Sequence, residues 1–386
     1  MSLSDVPDSN SRSFVIAVTA VSSVMGGGIT VVQNLTRSMA EERPDYKFVL
    51  YCSHESVATF DYPSNVEVVH LPKLLSRLSR WAWEQRELPS DAEARGVDVI
   101  LALGGYLSFR AKMPQVAVWQ NSVVFSPGEF SRPFAERVLI VIQRAVQTAS
   151  MKRAARNVFL TQTSVELAGE QWDMESLRHA VIHSGVDPTR LSLQASPPLE
   201  DREGFVLAVG HAYSHKNYEA MIDAIGIYRT EYGEDLHLRI VGDPANQDYF
   251  DGLQRRIIDQ GLTDLVEMSG GAQAEEVLSL MSRARAYLVT SQLETFGLTM
   301  FEAMGQGLPV VASNATCHPE VCGDAAVYCD PNDPADIAAQ VRRVMTDTEL
   351  GNDLRARGFE RLNEFSWAHS ARKYLSTLVA SSQDWK

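Results

Sequence analysis

The chain has 386 residues, too many for one ordinary hydrophobic core, and its length fits two domains of roughly 180 residues each. A net charge of −14 excludes a dedicated nucleic-acid binder, which needs a basic face to neutralise phosphates. Four cysteines, Cys52, Cys317, Cys322 and Cys329, form no C-x-x-C pair and read as buried free thiols rather than a metal site.

The chain begins with MSLSDVPDSNSRS, which is polar, expected to be disordered, and without the apolar core of a signal peptide. No apolar run is long enough to span a bilayer, so a soluble, cytoplasmic protein is expected. Residues 13–21, including FVIAVTAV, predict a first strand. They run into SSVMGGGIT and a helical pattern over 30–42. Strand, glycines and helix make the geometry of an anion-binding loop, although G-x-G-x-x-G is absent and a mobile turn is the plain alternative. Strands recur at 47–52, 66–70, 97–102 and 116–120 with helical stretches between them. That alternation implies βαβ units and a parallel sheet.

Two local basic stripes interrupt the acidic chain. KLLSRLSRWAWEQRELP sets Lys73, Arg77, Arg80 and Arg86 beside Trp81 and Trp83. Residues 132–156 add Arg137, Arg144, Lys152 and Arg153 against one acid, Glu136. Solvated helix faces over core tryptophans are the favoured reading, and a surface for anionic lipid headgroups or a lipid-linked acceptor is the other. ARNVFLTQTS and AVIHSGVDP, which ends at Pro188, supply the last strands of the first domain. Residues 189–203, rich in Ser, Pro and Leu without periodicity, read as a linker.

A strand at 205–209 opens the second domain, followed by GHAYSHKN and a helix over 218–231. Lys216 stands just before that helix, with Asn217 expected as its cap, so a point charge lies beside orphan amides and suits a diphosphate. A surface lysine is the alternative. Strands at 236–242 and 266–270 precede the most informative stretch, 286–320, AYLVTSQLETFGLTMFEAMGQGLPVVASNATCHPE. It predicts a buried strand, a polar loop, a short helix capped by Thr299, and a second strand at 310–313. The loop carries Glu294, and the helix carries Glu302, expected in its first turn. Each acid alone has a bland explanation, in loop solvation or in complementing the helix dipole. Together with Gly297 and the amides of Leu298, Thr299 and Met300, they suit a polyhydroxy ligand carrying phosphates. A further strand and amphipathic helix follow from DAAVYC, and FSWAHSARKYLSTLVAS predicts a terminal helix.

At this point the pattern S-x-x-E-x-F-G-x-x-x-x-E-A-M-x-x-G-x-P-V-V-A, followed by Glu320, resembles the E-x7-E signature of the retaining, nucleotide-sugar-dependent glycosyltransferases of group 1. The resemblance covers nearly the whole chain, most firmly 206–367. It implies an α/β architecture of two Rossmann-like domains facing across a cleft, called GT-B. Residues 1–188 would bind the acceptor, 204–365 the donor, and a helix in 366–386 would cross back to the first domain. The implied reaction moves a hexosyl group from a nucleoside diphosphate sugar to an acceptor hydroxyl with retention, in cell-surface polysaccharide or glycolipid assembly.

The resemblance also implies roles for residues. VG-x5-KN matches a donor-phosphate motif, so Lys216 and His215, with Gly27, Gly28, Leu298 and Thr299, would hold the donor phosphates; Gly26 lies beside them. Glu294, Phe296, Gly297 and Asn121 would meet the donor sugar, and Glu302 and Gly270 the nucleoside. Glu294 and Lys216 would carry the chemistry, with no protein nucleophile. No D-x-D acid pair stands near these parts, so neither metal nor other cofactor is expected. The partners implied are a nucleotide-sugar donor and a sugar or lipid-linked acceptor, with peripheral membrane contact through the basic stripes and no nucleic acid. Two departures stand out: Gln120–Asn121 where relatives often have His-Asp or His-Glu, and His211 and His215 where many have arginine. A nucleotide-sugar epimerase or hydrolase, or a non-catalytic sugar-nucleotide-binding scaffold, are the rival readings.

Overall fold

The computed structural model describes residues 12–23, 26–73, 76–121, 134–186 and 197–385. Among these, the first sheet comprises β1 (Val15–Ala20), β2 (Lys47–Cys52), β3 (Val66–His70), β4 (Val99–Ala102), β5 (Gln115–Trp119), β6 (Arg156–Phe159) and β7 (His179–Val181). The second comprises β8 (Phe205–Val209), β9 (His237–Val241), β10 (Val266–Ser269), β11 (Ala286–Val289), β12 (Val310–Ser313) and β13 (Ala326–Cys329). Every strand pair is parallel. Such sheets are covered by helices on both faces, which is why β1, β4, β5, β11 and β12 are buried along their whole length.

The strand orders are β3-β2-β1-β4-β5-β6-β7 and β10-β9-β8-β11-β12-β13. Each order reverses once, between β1 and β4 and between β8 and β11. At such a reversal the loops leave the strand ends in opposite directions and open a crevice. The expected linker is anchored where it is described, because Arg202 is buried and donates to the carbonyls of Pro197, Ala284 and Gln306.

The terminal helix Trp367–Gln383 returns to the first half and packs on helix Gly27–Glu42 and on β4. Arg372 pairs with Glu42 at 2.7 Å. The return is tight: a Cβ on Gly185 would lie 2.3 Å from the Trp367 amide nitrogen, so the crossing needs glycine there. The expected disordered start, Arg132, and most of the 189–203 linker lie outside the described residues.

Candidate functional site

Glycines shape the loop after β8. A Cβ on Gly242 would sit 1.9 Å from the Gly210 carbonyl oxygen, so the ends of β8 and β9 meet backbone to backbone. Lys216 closes a short 3-10 turn, Ser214–Lys216. Asn217 stands at the N-cap of helix Tyr218–Tyr232 as expected, but its side chain makes no capping bond. It adopts the left-handed conformation, φ 57°, and its amide donates to the Pro331 carbonyl at 2.7 Å instead. Thr290 holds the same turn, donating to the Asn217 carbonyl at 3.0 Å. These ties aim Lys216 toward the loop after β11.

There Lys216 Nζ forms an ion pair with Glu294 Oε1. The two side chains are only 19% and 17% exposed. Burial works to raise the Glu294 pKa, but the Lys216 charge and hydrogen bond outweigh it and hold the carboxyl below its ordinary value. The backbone of Glu294 is fixed by Thr316, whose hydroxyl accepts from its amide at 2.9 Å and donates to its carbonyl at 2.7 Å. Thr316 itself sits at φ 54°, an uncommon conformation for a β-branched residue.

A buried histidine, His318, completes this wall, and the sequence reading missed it. Ser313 Oγ donates to the Ser291 carbonyl at 2.8 Å, which uses its one proton. The 2.8 Å contact between Ser313 Oγ and His318 Nδ1 therefore has Nδ1–H as donor. Burial, reinforced by Lys216 and opposed by Glu294, pushes the His318 pKa down to about 4, so the ring is neutral near pH 7. Nothing in T-C-H-P-E marked this residue, because its burial and its charged neighbours, Lys216 and Glu294, come from other loops.

Helix Leu298–Gly305 begins after Gly297, whose φ of 76° only glycine adopts readily. The helix starts earlier than expected. Thr299 lies inside its first turn rather than at the cap, and its side chain bonds to the Tyr287 hydroxyl. Glu302 is the fifth helical residue, half-buried, and so not in the first turn. Phe296 is 2% exposed, its ring stacked on Phe301 and set edge-on to Phe365. Its side chain is a packing element.

The first half faces this wall through its own reversal point. Gly27 and Gly28 are the opening residues of helix Gly27–Glu42, not part of a loop before it. Gly26 precedes them at φ 53°, and a Cβ there would stand 3.9 Å from His211 Nε2. A Cβ on Gly27 would stand 3.2 Å from Leu298 Cδ1. The two crevices thus meet. Gln120, at the end of β5, accepts from Thr295 Oγ1 at 2.7 Å, and exposed Asn121 follows it. His215 stacks its ring on Tyr213, and its carbonyl accepts from the Gln292 amide at 2.8 Å. Gly270 follows β10, two strands from β8, beside Asp243, which accepts from the Gly271 amide at 2.8 Å. Gly27, Lys216, Glu294, Gly297 and Leu298 are therefore brought together, while Gly270 lies toward the sheet edge.

This architecture is the GT-B fold. A sucrose-phosphate synthase from Thermosynechococcus elongatus superposes with a TM-score of 0.74 at 17% identity, over 95% of this chain and 100% of that one. Anabaena HepE in complex with UDP and glucose gives 0.66 at 20% identity, over 95% and 100%. Residues 190–361 match the family described as "Glycosyl transferases group 1". That part of the chain belongs to the group 1 glycosyltransferases. Among curated relatives, O-antigen chain mannosyltransferase B of Escherichia coli is 30% identical over 166 residues, 43% of each chain. The chain spans about half the length of the curated relatives it matches.

Proposed function

We propose that this chain moves a hexosyl group from a nucleoside diphosphate sugar to an acceptor hydroxyl with retention at the anomeric carbon. The observation that carries the reading is the pairing of Lys216 with Glu294 at one reversal point, opposite the helix N-terminus at Gly27–Gly28 of the other. A diphosphate seated there meets the Lys216 ammonium, the first-turn amides of Gly27–Glu42 and those of Leu298–Gly305. As the glycosidic bond breaks, negative charge grows on the leaving phosphate and positive charge on the sugar ring. Lys216 stabilises the first. Glu294, released from Lys216, holds a sugar hydroxyl and stabilises the second. The leaving phosphate oxygen accepts the proton of the acceptor hydroxyl on the same face, so no protein nucleophile or metal is required. Glu302 holds the ribose, Gly270 borders the base, and Asn121 reaches a sugar hydroxyl from across the cleft.

The acceptor is read as a growing cell-surface polysaccharide or glycolipid, in line with the name of the Escherichia coli relative. No helix among the described residues is long and apolar enough to cross a membrane. Contact with a lipid surface would instead be peripheral. Helix Phe134–Arg153 exposes Val141 (68%) and Ile142 (57%), and Val141 shares a groove with Arg144 and Lys152. Helix Arg77–Arg86 exposes Leu78 and Trp81, while Trp83 is buried against Tyr51. Apolar side chains flanked by cations suit an anionic interface.

A panel of UDP-, GDP- and ADP-sugars, labelled in the sugar and offered with glycan and lipid-linked acceptors, tests the reading. Transfer from one donor supports it. Release of free sugar regardless of acceptor points to a hydrolase, and binding without turnover to a scaffold.

A further inference from the structure

Glu320 makes no contact with Lys216 or Glu294, yet its carboxylate bonds to three groups of the first half. From the second half, Oε1 accepts from the Gln162 amide at 2.7 Å, and Oε2 from the Thr163 amide at 2.9 Å and the Thr163 hydroxyl at 2.9 Å. Those amides open helix Gln162–Gly169 of the first half, so Glu320 satisfies the N-terminus of a helix it does not belong to. His183 Nε2 stands 3.2 Å from Oε1.

The same turn is gripped a second time. Thr161 Oγ1 donates to the Thr295 carbonyl at 3.2 Å, and Thr295 Oγ1 donates to the Gln120 carbonyl at 2.7 Å. Thr295 directly follows Glu294. Residues 161–163 are therefore held on one side by Glu320 and on the other by the loop that carries Glu294. All of this lies at the crossing between halves. The Val186 amide donates to the Phe365 carbonyl at 3.0 Å, and the His183 ring packs on Phe365 and Phe296. Glu320 is anchored from behind, since Arg361 donates to its carbonyl at 2.7 Å.

We propose that Glu320 is a positioning residue: with Thr295 it pins the two halves in the closed arrangement and sets Glu294 against the strand ends of the first half. It touches no reacting atom. It acts through the Thr161–Thr163 turn, so closure of the cleft and placement of Glu294 are one event. The kinetic part of this inference rests on the proposed transfer reaction; the closure part does not.

Glu320→Gln keeps the shape of the side chain but can no longer accept from all of its partners at once, and Thr295→Val removes the second grip. In the full-length chain, each variant is compared with the parent by small-angle scattering, titration with UDP, GDP and ADP, and turnover. The expected result is a larger radius of gyration and a kcat lower by about 10–100-fold. The nucleoside diphosphate Kd should rise by less than kcat falls, because Lys216, Glu302 and helix Leu298–Gly305 stay together on the second half and only the Gly27–Gly28 amides move away. Glu320→Asp, which keeps the charge on a shorter stem, should recover part of the kcat. Unchanged scattering and kcat in Glu320→Gln would overturn the proposal. So would a Kd that rises in step with the fall in kcat, which marks a merely structural residue. If the parent transfers from no donor, the transfer reading fails, while scattering still decides whether Glu320 pins the halves.

Discussion

Replacing Glu294 by Gln is expected to tighten the binding of a free nucleoside diphosphate while it slows sugar transfer. In the unliganded chain the Lys216 ammonium already has a partner, and a diphosphate must take it from Glu294. A charge-assisted hydrogen bond of this kind contributes about 1.5–3 kcal/mol net, and the neutral bond left by Gln about 1 kcal/mol. Both side chains are less than one-fifth exposed, so solvent screens the pair only in part. The difference of about 0.5–2 kcal/mol corresponds to a Kd lower by roughly 2–30-fold. Sugar transfer should fall by about 10²–10³, because a carboxylate acting on developing charge is lost. Calorimetric titration with the diphosphate, alongside single-turnover rates, reads both effects. In a Lys216→Ala background the tightening should vanish, since the competition is gone. An unchanged or weaker Kd in Glu294→Gln, with the parent's melting temperature, would refute the competition between carboxylate and phosphate.

Three further outcomes are expected. Glu302→Gln should chiefly raise the donor KM, because a ribose contact is the same in ground and transition states; a pure kcat loss would contradict that role. Glu320 titrates far below the ordinary carboxyl value of 4.5, at about 2: burial works to raise it, but His183 and the Thr163 and Gln162 amides outweigh burial. Its stabilisation, roughly 3 kcal/mol, should be fully present above pH 4.5 and lost as pH falls through about 2. Urea unfolding of the parent and Glu320→Gln should therefore differ at pH 7 and converge toward pH 2, and a gap independent of pH would oppose the assignment. Sedimentation with anionic liposomes should show salt-sensitive binding that weakens when Arg144 and Lys152 are replaced by Ala, each basic residue contributing about 1 kcal/mol; equal, negligible pelleting at all salt concentrations would remove membrane contact.

The sheet strands were legible because each is a short apolar run between polar turns, and β2, β3, β8 and β12 fall where the pattern places them. Ends shifted by a residue or two where apolar residues continue past the last ladder bond, as at Val21 after β1. Local chemistry failed at the caps. Asn217 and Thr299 are good capping residues by type, but long-range partners, Pro331 and Tyr287, claim their side chains. Glycine took two of the positive-φ positions before a helix, Gly26 and Gly297, and Asn217 the third. The Lys216–Glu294 pair, separated by 78 residues, could be proposed as two roles but not seen as one contact. The Glu320 grip was invisible for the same reason: its partners, Gln162 and Thr163, lie far along the chain.

The central claim is transfer of a hexosyl group with retention, and the anomeric configuration of the product tests it most directly. With the donor that supports turnover, the first-formed glycoside is followed by proton NMR and its anomeric coupling compared with that of the donor. The account predicts the same configuration in donor and product, with the signal lost in Lys216→Ala. An inverted product would contradict the same-face mechanism built on Glu294 and the leaving diphosphate.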